Sequence, residues 1–172
     1  MKKKRLTQKI ALYGVLTTIA MMLSYLEALV PLSVAVPGIK IGLANIAVVF
    51  ALYSLGTAAA CSVSGVRVLL LALLFGNVMT FAYSVSGAVL SLAVMAALEH
   101  SGKFGCIGVS VAGGIAHNGG QILCAALLLG TRQILYYLPV LIVSGTVAGV
   151  VVGLLAGVLH TRLAHMAQQR RT

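Results

Sequence analysis

The residues able to do chemistry in this sequence are few and widely spaced. Glu27 and Glu99 are its only carboxylate side chains, and there is no aspartate. Arg67 stands ten residues into an apolar run that begins at Thr57. His117, Asn118 and Gln121 stand together in another such run. A central arginine costs roughly 2.5–3.5 kcal/mol to place in a bilayer. Groups that expensive face a partner or a polar cavity, so function is to be sought at them. Two readings of Arg67 stay open. It is satisfied by helix carbonyls or by Glu27, or it lines a cavity and meets an anionic ligand. Catalysis is poorly served. No nucleophile–base–acid set appears, and magnesium-dependent prenyl transfer needs several carboxylates to hold the metal. No Walker A sequence is present, so an ATP-driven step would be powered by another chain. The expectation is a protein that is not an enzyme and needs no cofactor and no metal.

The remaining candidates cluster around the first loop and two later runs. Tyr13, Thr17, Ala20, Ser24 and Glu27 are spaced 4, 3, 4 and 3, which makes one inward helix face ending at the acid. Lys40 follows across a loop bounded by Pro31 and Pro37, so an ion pair with Glu27 is one reading. The other is that Glu27 reads a positive group on a ligand. Pro37-Gly38-Ile39-Lys40-Ile41-Gly42-Leu43-Ala44-Asn45 opens the next helix. Free N–H groups, the helix dipole and the Lys40 ammonium would together attract an anion, with Asn45 on the face of Gly38 and Gly42. Asn77, Thr80, Ser84, Gly87 and Ser91 share one face of the fourth run. His117 and Gln121 lie one turn apart, and a lone histidine in a helix is more often hydrogen-bonded packing than a metal ligand. Cys61, Cys106 and Cys124 show no metal spacing and read as small buried hydrophobes.

These groups need elements to hold them, and the composition says what those are. Of the 172 residues, 60% are hydrophobic and 8% charged, with a mean hydropathy of +1.09. A small soluble domain cannot hide that much apolar surface, so a soluble reading is excluded. Six segments approach the roughly 20 apolar residues a span needs: about 8–30, 39–55, 57–76, 78–98, 105–129 and 136–160. The second is short, and the break at 53–58 is the softest. The first is long enough to span, and Glu27-Ala28-Leu29 is a poor cleavage site, so a retained helix is expected rather than a signal peptide. The fold class is therefore an all-α integral membrane protein, one domain over 1–172, in the cell membrane. Residues 1–9 and 161–172 are its basic ends. The net charge of +10 sits largely in those ends, which places both in the cytoplasm and argues against a nucleic-acid partner.

Gly145, Gly149, Gly153 and Gly157 recur every four residues down the last run, and Gly108, Ala112, Ala116 and Gly120 repeat the device in the fifth. Such stripes let helix backbones approach closely. They serve either packing within the bundle or docking on another membrane protein.

Several segments together resemble a known family. They are Ser24-Tyr25-Leu26-Glu27, the Pro37-to-Asn45 stretch, Tyr83-Ser84 with Gly87, and Gly113-Gly114-Ile115-Ala116-His117-Asn118 with Gln121. The chain resembles the Gx transporter family, also catalogued as heptaprenyl diphosphate synthase component I. That family is in turn similar to the six-helix S components of energy-coupling-factor transporters. The resemblance implies a ligand pocket open to the outside and covered by residues 31–40. Asn45, Arg67, Asn77, Ser84, His117, Asn118 and Gln121 would line it. It also implies an energising module of a transmembrane coupling subunit and ATPases. The Ala-x-x-x-Ala docking motif that S components often carry on the first helix is missing.

Two main functional readings follow. In the first, the protein is a substrate-binding subunit, surrounded by membrane lipid, that takes up a small anionic vitamin-, flavin- or isoprenoid-like molecule. In the second, it is a membrane accessory subunit for prenyl diphosphate or quinone synthesis. A purely structural helix-packing role ranks last, because it leaves Arg67 and the His117-to-Gln121 group without a purpose.

Overall fold

A bilayer offers the backbone no water, so each spanning segment must close its hydrogen bonds within itself, and long apolar runs become helices. The computed structural model describes residues 2–29, 42–75 and 78–169. In chain order it has α1 (Lys2–Leu29), α2 (Asn45–Leu55), α3 (Thr57–Phe75), α4 (Val78–His100) and α5 (Cys106–Leu129). A short 3-10 turn (Gln133–Tyr137) then leads into α6 (Leu138–Gln169). No strand occurs among the described residues. Five of the helices are long and apolar enough to cross a membrane, and the protein is a multi-pass helical membrane protein on that ground.

The exception is α2. Of the expected second span of 39–55, the described part, 42–55, is helical from Asn45. Its 11 residues reach about 16 Å, roughly half of a 30 Å hydrocarbon core. Residues 39–41 lie outside the described part. A helix that stops half-way is tolerated only where protein shields its broken end. Here α2 touches all five other described helices, and Val152 of α6 stands beside Gly42 at its start. Ile46, Ala47, Val48, Val49, Ala51 and Leu52 are buried, so the helix is apolar all round and forms the axis of the core. Leu16 and Ala20 of α1, Ala59, Ala60 and Val63 of α3, and Val152 and Ala156 of α6 close around it.

Between α2 and α3 there is one residue, Gly56, at φ +91°. Its N–H donates to the Leu52 carbonyl at 3.1 Å while its own carbonyl accepts from Ala59 N–H, also at 3.1 Å. The positive φ favours glycine, and it turns the chain back on itself as a helical hairpin. The far end of α2 is tied down nearby. Tyr53 donates its hydroxyl to the Phe104 carbonyl at 3.0 Å, and Ser54 Oγ lies 2.8 Å from His160 Nδ1. The soft 53–58 break is thus an anchored turn.

On α1 the stripe of Tyr13, Thr17, Ala20, Ser24 and Glu27 is the face turned to the bundle, with Ala20 fully buried. Its other face, including Leu12, Val15, Ile19, Met22 and Leu26, is exposed, as a lipid-facing surface should be. The α5–α6 contact answers the question about the glycine stripe. A methyl at Gly149 would come within 2.5 Å of Val111 Cα, one at Gly153 within 2.6 Å of Ile107 Cα, and one at Gly114 within 2.5 Å of the Gly145 carbonyl oxygen. These glycines are consumed by backbone-to-backbone packing inside the bundle. An apolar groove of about 530 Å³ runs between α3 and α4. Cys61 lines it and is exposed, and Cys106 and Cys124 are half-buried, which corrects the expectation that the three cysteines are buried.

Candidate functional site

The hairpin at Gly56 pairs residues equally distant from it. Asn45 lies eleven residues before Gly56 and Arg67 eleven after. They meet: Arg67 Nη1 donates to Asn45 Oδ1 at 3.5 Å, long for such a bond. Arg67 is only 9% exposed, and its Nε has no hydrogen-bond partner. Burying an ionised group without full pairing is expensive, so a site that holds one is unfinished by itself.

Around the guanidinium stand the start of α2 and the end of α1. Gly42 N–H donates to Glu27 Oε1 at 2.7 Å, across fifteen residues of sequence. Gly42 has φ +76°, and the space beside its Cα is bounded by Asn45 Nδ2 and by Val152 of α6. The carbonyls of Gly42 and Leu43 accept from the N–H groups of Asn45 and Ile46 at 2.8 and 3.1 Å, so the first turn is closed by short-range bonds. Glu27, Gly42, Asn45 and Arg67 therefore form a linked chain of polar groups where a half-length helix begins. The helix presents its positive end there.

The other expected site residues divide. Asn118 is committed to α6: its Nδ2 donates to the Leu141 carbonyl at 2.7 Å and to Ser144 Oγ at 3.4 Å. His117 Nε2 and Gln121 Nε2 lie 3.2 Å apart along α5. Both pack on Gly87 of α4, where a methyl would meet Gln121 Cγ and the His117 carbonyl oxygen at 2.9 Å. Ser84 is half-buried on the same helix as Gly87. Lys40 and Asn77 lie outside the described residues, so the ion pair with Lys40 is not addressed. The hydrogen-bond partner of Arg67 is the Asn45 amide oxygen rather than a helix carbonyl, and Glu27 Oε1 is engaged by the Gly42 N–H. Sequence reasoning did not find that N–H donor on Gly42. Its signal was present as the acid and the glycine that flank the proline-bounded loop.

Comparison with known families supplies the frame. The model of the family described as heptaprenyl diphosphate synthase component I matches residues 16–159. That stretch holds every helix core and all four linked residues. The chain belongs to this component I family. No curated protein and no solved structure matches the chain. The component I name speaks of a synthase, and the match brings no catalytic residue with it. What the site of this component I protein offers chemically is charge and hydrogen bonds: one buried cation, one amide and one helix start.

Proposed function

We propose that this protein is a substrate-binding membrane subunit, similar to the S components of energy-coupling-factor transporters, that captures a small anionic molecule without catalysis. The observation that carries the proposal is Arg67, buried at the start of a half-length helix with its Nε unpartnered. Transporters place binding sites near the bilayer midplane at the N-termini of interrupted helices, where the helix end faces an anionic group. α2 has that form. The basic ends support a cell-membrane protein with both termini in the cytoplasm. Movement of substrate would then need an energising module with a coupling subunit and ATPases, since the chain has no nucleotide motif. A vitamin-, flavin- or isoprenoid-like anion suits a site of few polar groups among apolar walls. His117, Gln121 and Ser84 are further candidates for its lining, while Asn118 serves packing.

A second reading is favoured by the family name. There the same cation would hold a prenyl diphosphate while a partner enzyme performed the chemistry.

Native mass spectrometry of the protein purified in mild detergent tests the proposal. A defined small-molecule adduct, absent from Arg67→Ala, is the expected result. An adduct retained by Arg67→Ala, or protein carrying only bulk lipid after exposure to candidate metabolites, would overturn it. A prenyl diphosphate adduct would select the second reading.

A further inference from the structure

The proposed binding role says that the ligand is anionic; the geometry of Arg67 says more about the anion's shape. A guanidinium is a flat fork of five N–H donors. Its Nε–H and one Nη2 N–H point the same way and form a side edge. Nη1 lies on the other side of the fork. In this structure Nη1 is turned to Asn45 Oδ1 at 3.5 Å, and Nε, on the opposite edge, has no partner although the side chain is 9% exposed. We infer that Arg67 takes its ligand side-on, through the Nε–Nη2 edge, and that the ligand carries a forked oxyanion, a carboxylate or a phosphate, whose two oxygens match that edge. This rests on the binding-subunit reading and specifies its substrate class.

Two neighbours have distinct parts in the arrangement. Asn45 is a positioning residue. Its amide oxygen receives Nη1, and its Nδ2 is turned toward Gly42, so the first residue of α2 sets the plane of the fork. Glu27 works against the ligand. Its Oε1 is held by Gly42 N–H at 2.7 Å, and Gly42 is tied through Asn45 to Arg67, so an incoming anion meets a carboxylate at the same helix start. A glutamine at 27 would still accept the Gly42 N–H through its amide oxygen, and only the charge would go. Removing that charge should therefore strengthen anion binding, the opposite of what losing a ligand contact does.

The test is thermal melting of the full chain in detergent, titrated with inorganic phosphate or acetate at constant ionic strength balanced with chloride. Saturable stabilisation of the wild type by one of the two anions is expected, and the more potent anion distinguishes a phosphate ligand from a carboxylate one. Arg67→Lys keeps the charge but has no fork, and should need at least about tenfold more anion for the same shift. Equal potency in wild type and Arg67→Lys would overturn side-on recognition in favour of a point charge. Glu27→Gln does not alter the fork, so it reads the site even where the lysine variant fails to fold. It should bind the more potent anion a few-fold more tightly, and unchanged or weaker binding would overturn the assignment of Glu27 as the opposing charge. No saturable response to either anion in the wild type would overturn the oxyanion class. The binding role itself would still stand or fall on the native mass spectrum.

Discussion

The two halves of this bundle are held together by different means. In α4–α6, glycines bring helix backbones into contact, and polar side chains are spent on neighbouring helices. Gly149 against Val111 and Asn118 against Leu141 are examples. In α1–α3 a short axis helix is enclosed with the help of α6, and a cation at its end is left incompletely paired. Lipid is as apolar as leucine, so helices in a membrane associate by packing and hydrogen bonds rather than by hiding oil. The first half exploits that fully. The second gives up satisfaction at one point, which is what the proposed anion site requires.

The contrast is broken most severely in the tight half. Gly149→Leu must force α5 and α6 apart at a 2.5 Å approach, and should cost about 3 kcal/mol or more. A melting temperature within a degree of wild type in detergent would show that the two helices are not locked by this contact. In the loose half the sign reverses. Arg67→Met removes an incompletely paired buried charge, so stability should hold or rise, by up to about 1 kcal/mol, while anion affinity falls about a hundredfold. Paired melting and titration curves would show both effects, and a large loss of stability would mean that Arg67 is structural. Asn118→Ala sharpens the comparison. It deletes one interhelical bond and should cost about 1 kcal/mol of stability. A variant as stable as wild type would remove Asn118 from the packing of α6. The smallest effect is expected at the anchored turn. Ser54→Ala loses a bond to His160 at an exposed edge and should cost less than about 1 kcal/mol by the same measurement.

Much of this was legible in the residues, for reasons that can be named. The inward face of α1 follows from helical spacing alone, because a period of 3.6 puts Tyr13 to Glu27 on one side whatever they touch. The cost of Arg67 follows from its place in an apolar run. Even the meeting of Arg67 with Asn45 is implicit, since both lie eleven residues from the glycine that turns the chain. The length of α2 was harder to see. Ile39, Ile41, Leu43 and Ala44 alternate with Lys40 and Gly42 ahead of it, and hydropathy does not register where a helix starts when neighbours cover it. The partners of Asn118 were out of reach for a related reason. A polar side chain in a span advertises that it needs a partner, not which partner it finds.

The amino-acid sequence by itself determined that the chain spans a membrane, which helix faces are apolar, which small residues permit close packing, and which few groups are too costly to be idle. Those are local matters of hydration and periodicity. Tertiary structure decided how the polar groups are shared out: Glu27 to Gly42, Asn118 to Leu141, His117 and Gln121 against Gly87, and Arg67 to an amide that leaves its Nε unpaired. Hydrogen bonds depend on direction and on a few tenths of an ångström, and only the packed helices set those.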